Sequence, residues 1–264
     1  MCLIIFANQA SDQYPLILSA NRDEIFNRKS REAQFWSEEI GCSNLLAGKD
    51  LKAGGTWIGV TLHGKFAAIT NLRNNVDDDE ALLSRGNLTL KYLIGKESPR
   101  NFAETISEDL SNYKGFNLLL GYRDELVFMN SREKFILDID PGIYAFSNDT
   151  LNSSHLKVIQ GRDRLYKLLN SGKEITPDLL IEMMYDRTMA ADNLLPNTEI
   201  PKNLERKLSA AFVSAPEHNY GTVCSTAFVT TSNGRAQFVE QNYGKDGAPT
   251  SSHYFKYSLQ EATD

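Results

Sequence analysis

MCLIIF at residues 1–6 and LILSANRDE at residues 16–24 decide what kind of fold this chain can adopt. Their apolar runs, 3–6 and 16–18, are continuous rather than alternating, so strands built from them are buried on both faces. Between them lies polar turn material containing Gln9, Ser11, Asp12 and Pro15. The pattern predicts a hairpin of buried strands whose second arm runs directly into the charged cluster Asn21-Arg22-Asp23-Glu24. In a tight hairpin that cluster lies beside Cys2. Strands apolar on both faces also need cover on both sides, from a second sheet, from helices, or from one of each.

Working outward, residues 57–62 and 66–71 predict a second hairpin turning at His63-Gly64, and residues 117–122 and 125–130 a third turning at Arg123-Asp124. Helical periodicity follows over 79–94, 101–111 and 155–170, the last with Leu156, Ile159, Leu165 and Leu168 on one side. Thr176-Pro177 supplies an N-cap and a proline at the first helical position, starting a helix that runs to about Tyr185. After a connection punctuated by Pro196, Pro201 and Pro216, residues 223–230 and 236–240 predict closing strands around Asn233-Gly234. Strands, then helices, then strands again predict an α+β chain, a four-layer αββα sandwich of two antiparallel sheets with helices outside. One domain is expected over residues 1–264, with a loosely held tail from Gly244.

At 264 residues and 41% hydrophobic content the chain can bury a large core. Its 28 basic and 34 acidic residues give a net charge of −6, which excludes nucleic-acid binding by phosphate neutralisation and leaves a small metabolite as the partner class. No run of about 18 apolar residues exists, and residues 3–7 are too short for a signal peptide and lack a basic lead. A cytoplasmic protein without a membrane span is expected. Cys2, Cys42 and Cys224 read as reduced thiols, while His63, His155, His218 and His253 lie too far apart in sequence for a dedicated metal site.

Cys2 is the sharpest candidate. Aminopeptidases remove an initiator methionine that precedes a small residue, which leaves Cys2 with a free α-amine. With a pKa of about 7.7–8.0, that amine can act as the base for its own thiol. A cysteine at a strand start serves equally well as a small core residue. Arg22 can lower the thiol pKa and Asp23 can hold the α-ammonium; the alternative for residues 21–24 is a solvated turn with a local ion pair. Gly54-Gly55 ahead of a strand permits a positive-φ turn or a close backbone approach to a ligand. Trp57, with Trp36, either lines a pocket or fills the core. Arg73 and Arg85 meet an anionic substrate group or make surface ion pairs, and the acidic residues 77–80 supply the N-terminus of the following helix.

Met1-Cys2-Leu3-Ile4, Asn21-Arg22-Asp23-Glu24, Gly54-Gly55-Thr56-Trp57 and Thr70-Asn71 together resemble the NRDE (transport and Golgi organization protein 2-like) family. Ser84-Arg85-Gly86, Tyr113-Lys114-Gly115-Phe116-Asn117, Ser147-Asn148 and Tyr220-Gly221-Thr222 look like its later blocks, in order, so the resemblance runs from about residue 1 to residue 240. It implies an N-terminal-nucleophile hydrolase fold, similar to the choloylglycine and penicillin V acylases. Carried over, Cys2 is the nucleophile, Asp23 orients its amine, and Asn71 and Asn148 form an oxyanion hole. Arg22 joins them as a catalytic candidate, with Asn21, Glu24, Gly55, Trp57, His63, Arg73 and Arg85 as candidate ligand contacts. The chain departs from the pattern twice. The acylases space arginine and aspartate as Arg-x-x-Asp where Arg22 and Asp23 are adjacent, and Val223 stands where many family members look like Tyr-Gly-Thr-Arg.

The expected function is hydrolysis of a non-peptide C–N amide bond in a small molecule, with no cofactor required. The alternative from another class is a carrier of haem or a lipid-like metabolite in the same cleft, with His63 or a cysteine thiolate ligating iron. A scaffold acting through protein partners is the third reading.

Overall fold

The computed structural model describes residues 2–37, 42–73 and 83–261. The strands, in chain order, are β1 (Cys2–Asn8), β2 (Leu16–Ile25), β3 (Ser30–Phe35), β4 (Leu45–Asp50), β5 (Ile58–Thr61), β6 (Phe66–Asn71), β7 (Phe116–Tyr122), β8 (Glu125–Asn130), β9 (Phe135–Asp138), β10 (Gly142–Phe146), β11 (Ser214–Ala215), β12 (Tyr220–Thr230), β13 (Arg235–Tyr243) and β14 (Pro249–Ser258). The helices are α1 (Gly86–Ile94), α2 (Pro99–Ser107), α3 (Leu156–Leu169), α4 (Pro177–Met184) and α5 (Lys202–Leu208). The chain divides into two compact units, Met1–Asn27 with Pro141–Lys256 and Arg28–Asp140 with Tyr257–Asp264.

The first unit is built on a sheet of order β10-β1-β2-β12-β13-β14, with β11 beside β12. The predicted hairpin forms, placing Phe6 opposite Leu18, Ile4 opposite Ala20 and Cys2 opposite Arg22. β12 lies antiparallel on the other side of β2. Because side chains alternate along a strand, Leu3, Ile5, Ala7, Ile17, Ala227 and Val229 share one face. There they pack against Val158 and Leu165 of α3 and Leu180 and Met184 of α4. The opposite face, with Ile4, Phe6, Leu18, Phe228 and Phe238, is equally buried, as the continuous apolar runs require. Gly161 lets α3 settle on β1, since a Cβ there would stand 2.4 Å from Ile5 Cδ1. α4 starts as expected, with Pro177 in its first turn and the Thr176 side chain accepting from the Leu179 N–H.

In the second unit the strands follow chain order, β3 to β9. Both expected hairpins form, with Gly64 at φ 87° and Arg123 at φ 54° in their turns. Leu45, Ala47, Ala67, Ile69, Leu118 and Leu120 meet Leu88, Tyr92 and Leu93 of α1 and Phe102, Ala103 and Ile106 of α2. Two antiparallel sheets, each carrying helices, make the chain α+β as expected.

Three local expectations change. The helix expected over 79–94 begins only at Gly86; Leu83 forms an isolated bridge to Tyr113, and residues 79–82 lie outside the described residues, as does the acidic run 77–80. The helix expected over 101–111 is α2, already started by the Ser98 cap and Pro99, followed by a separate 3₁₀ turn at Leu110–Asn112. The tail expected to be loose contains β14, a ten-residue edge strand. Its alternation of half-buried and exposed residues offers no apolar run to signal it; backbone pairing to β13 holds it.

Candidate active site

Cys2 opens β1, and three neighbours are fixed by the sheet. Arg22 stands opposite it on β2. The backbone N–H of Asp23 donates to its sulfur. Pairing of β1 with β10 sets Ile4 against Phe146, so continuing the register brings Asn148 across from Cys2. Ser147 Oγ donates to the Cys2 carbonyl at 2.6 Å and lies 3.2 Å from Asn148 Oδ1. Cys2, Arg22, Asp23 and Asn148 are therefore brought together, and Glu24 joins through an ion pair, its Oε2 lying 3.9 Å from Arg22 Nη2.

This cluster is not a solvated turn. Asn21, Arg22 and Asp23 are strand residues, each at most 5% exposed. Asn21 uses both amide hydrogens on the carbonyls of Met184 and Ala211, at 2.9 and 2.8 Å, and its Oδ1 accepts from Ser225 Oγ at 2.5 Å. It ties β2 to the end of α4 and to the segment ahead of β11. Asp23 Oδ1 accepts from Thr222 Oγ1 at 2.6 Å, and its carbonyl accepts from the Tyr220 hydroxyl at 3.0 Å.

Burial sets the direction of both key ionisations. It pushes the Cys2 thiol up although the residue is only half-buried, with the Asp23 charge adding to the rise; the amino-terminal charge, the Asp23 N–H and Arg22 pull the other way and do not win. The lowering expected from Arg22 is present, but desolvation outweighs it. Burial also raises Asp23, against the attraction of Lys157 and the hydrogen bond from Thr222. Lys157, on α3, is itself buried and donates to the Leu208 carbonyl at 3.0 Å. Cys224 lies opposite Arg22 on its other flank, and burial followed by the charge of Glu240 holds that thiol well up.

A β-bulge interrupts β12 between Thr222 and Cys224, with Thr222 opposite Asp23 and Cys224 opposite Arg22. The extra residue is Val223, the position where the sequence pattern led one to look for arginine. Arg22 and Asp23 are successive on a strand and face opposite sides. The bulge lets Thr222 follow Asp23 on one side and Cys224 follow Arg22 on the other.

The remaining candidates belong to the second unit. Gly54 takes the positive φ of 78°. Gly55 is a close backbone approach, but to protein: a Cβ there would stand 2.4 Å from the Gly86 carbonyl carbon. Trp57 is half-buried and its carbonyl accepts from Ile69 N–H at 2.9 Å, while Trp36 is core, its indole N–H donating to the Ala47 carbonyl at 2.9 Å. Asn71 ends β6 opposite Phe116 with an exposed side chain. Arg85 Nη1 donates to the Gly115 carbonyl at 3.0 Å, and the Arg73 carbonyl accepts from the Arg132 guanidinium. His63 Nε2 lies 2.9 Å from Asn44 Nδ2.

Ser147 and Thr222 lie in the Ser147-Asn148 and Tyr220-Gly221-Thr222 motifs, whose sequence alone gives them no role. Lys157 and Glu240 carried no signal, because a lysine or glutamate in amphipathic sequence reads as solvent-facing until the packing is known. Among the described residues no His, Cys, Asp or Glu side chains cluster to hold a metal ion, and no helix is long and apolar enough to cross a membrane. Met1 lies outside the described residues.

The sequence profile of the Transport and Golgi organisation 2 family matches residues 1–245. The chain belongs to that family. Its Transport and Golgi organization 2 homologs include one from Mus musculus, 27% identical over 281 residues covering 98% of this chain and all of the relative. A second, from Homo sapiens, is 28% identical over the same length and coverage. Cys2, Asp23, Asn148 and Thr222 all fall within the family match. Among solved structures, a Caenorhabditis elegans N-acylethanolamine-hydrolyzing acid amidase ortholog is similar at a TM-score of 0.47 and 11% identity, over 86% of this chain and 92% of that one. A conjugated bile acid hydrolase from Clostridium perfringens is similar at 0.43 and 11%, over 100% and 99%. Likenesses this loose carry no chemistry across.

Proposed function

We propose that this protein is a hydrolase of non-peptide C–N amide bonds, acting through Cys2 as an N-terminal nucleophile once Met1 is removed. One observation carries the reading: a cysteine at the start of a buried strand has its sulfur held by the Asp23 N–H, with the Asp23 carboxylate itself fixed and buried. In the reaction the α-amine takes the thiol proton and sulfur attacks the carbonyl carbon. Asn148 is the side chain nearest in register to meet the resulting oxyanion. The C–N bond breaks as the α-ammonium returns its proton to the leaving amine, and water, deprotonated by the amine, hydrolyses the thioester. The three free thiols fit a reducing cytoplasm.

The test is acid-quench mass spectrometry after mixing purified protein with N-acyl p-nitroanilides and N-acyl amino acids of graded chain length. An acyl adduct on the Cys2 peptide, absent in Cys2→Ala, is expected. Neither adduct nor product across the panel, in protein shown to begin at Cys2, contradicts the reading.

A second reading is favoured by Val223 at the bulge and by a thiol that burial keeps protonated: a carrier that binds haem or a lipid-like metabolite without cleaving it. Titration with haem separates the two. A Soret shift abolished by Cys2→Ala or His63→Ala supports the carrier, and no shift at micromolar haem counts against it.

A further inference from the structure

Tyr220-Gly221-Thr222 is a motif to which the proposed chemistry assigns no task, yet each of its residues is fitted to Asp23 or to its surroundings. The Thr222 backbone N–H donates to the Val213 carbonyl at 2.9 Å, and the Val213 N–H donates back to Thr222 Oγ1 at 2.8 Å. A backbone N–H cannot turn round, so Thr222 Oγ1 is fixed there as an acceptor. Its single proton is left for Asp23 Oδ1, 2.6 Å away. Tyr220 grips the same residue from its other end, its hydroxyl donating to the Asp23 carbonyl at 3.0 Å. Gly221 fits between them because a Cβ would stand 2.9 Å from both the Val213 carbonyl oxygen and Phe26 Cζ. The bulge after Thr222 then frees Cys224 to face Arg22 instead.

We propose that Tyr220-Gly221-Thr222 is a clamp that holds Asp23 in place beside Cys2, with Thr222 the positioning residue for the carboxylate and Tyr220 for the backbone. The clamp acts on Cys2 through one residue: Asp23 presents its N–H to the sulfur and its carboxylate to the groups that ionise around it. Buried Lys157 adds attraction from the α3 side. Two anchors at opposite ends of Asp23 fix both its backbone and its side chain, which a single hydrogen bond does not do.

The inference deepens the hydrolase reading for its kinetic arm and rests on it there; two further arms are independent of any substrate. In protein carrying carboxyl-¹³C aspartate, with the Asp23 signal assigned by its loss in Asp23→Asn, Thr222→Val raises the Asp23 midpoint by about one pH unit or more, because a hydrogen bond to the ionised form is lost. Thr222→Ser keeps it within about half a unit. Tyr220→Phe, which leaves the Val213 N–H its partner, speeds hydrogen exchange at the Asp23 amide about tenfold or more. With an active substrate, Thr222→Val lowers kcat at least about tenfold with KM little changed, and Thr222→Ser restores it. An unmoved midpoint in folded Thr222→Val overturns the clamp. So does an unmoved exchange rate in Tyr220→Phe, which decides the matter if Thr222→Val does not fold. A shifted midpoint in a protein that hydrolyses nothing supports the clamp and counts only against the hydrolase.

Discussion

Lys65 and Lys157 are both lysines withdrawn from water, and the two units treat them differently. In the second unit Lys65 Nζ donates to the carbonyls of Gly95 and Glu97, both at 2.9 Å, and lies 4.7 Å over the Tyr92 ring. It closes the C-terminal end of α1, where unpaired carbonyls favour a cation. In the first unit Lys157 faces inward from α3 toward Asp23, within a group that also holds Arg22, Cys2, Cys224 and Glu240. Both lysines close a helix end, Lys157 through the Leu208 carbonyl of α5; what sets Lys157 apart is its attraction for Asp23, which opposes the rise that burial imposes on that carboxyl.

Asp23→Asn is the strongest way to break this contrast. Burial places the folded Asp23 pKa above its unfolded value, so as pH rises past the unfolded carboxyl range the folded state loses stability relative to the unfolded chain. Removing the charge is expected to cut hydrolysis by roughly 100-fold or more, while Tm at pH 8 stays level or rises. A large fall in Tm would make Asp23 structural. Gly55→Ala should do the reverse, destabilising the second unit by about 1–3 kcal/mol in urea unfolding, because its Cβ meets the Gly86 backbone. Little effect would mean that α1 can retreat from the glycine pair. Lys65→Met should cost about 1–2 kcal/mol by leaving two carbonyls without their cation, and kcat of the surviving fold should not change. The smallest effect is expected at Cys2 itself. Because burial raises its thiol, the pH midpoint of iodoacetamide alkylation in protein that keeps Met1, followed on the peptide containing Cys2, should lie above the usual thiol range. A midpoint below that range would show that Arg22 prevails over burial.

The hairpins were legible because each carries its own evidence: apolar runs of strand length separated by Gln9 to Pro15, by His63-Gly64 or by Arg123-Asp124. The edges were not. β3 reads Ser-Arg-Glu-Ala-Gln-Phe and β14 buries no residue fully, so only pairing with a neighbouring strand makes them strands. α5 follows Pro201 in what reads as a broken connection. At the site, Cys2, Arg22 and Asp23 are legible because motif and hairpin register both point to them, and Asn148 through the Ser147-Asn148 motif of the family alone. Lys157 was hidden because its burial depends on how α3 packs. The bulge at Val223 was hidden too, because an inserted residue has no compositional signature. The direction of the Cys2 shift could not be read from charge pattern alone, since burial decides it.

Mass determination of the amino-terminal peptide of purified protein that turns over an amide substrate tests the central claim most directly. A chain beginning at Cys2 with a free α-amine, acylated on sulfur during turnover, is the predicted result. Turnover by protein that keeps Met1 would contradict it, because a cysteine whose nitrogen is held in a peptide bond has no amine to serve as base.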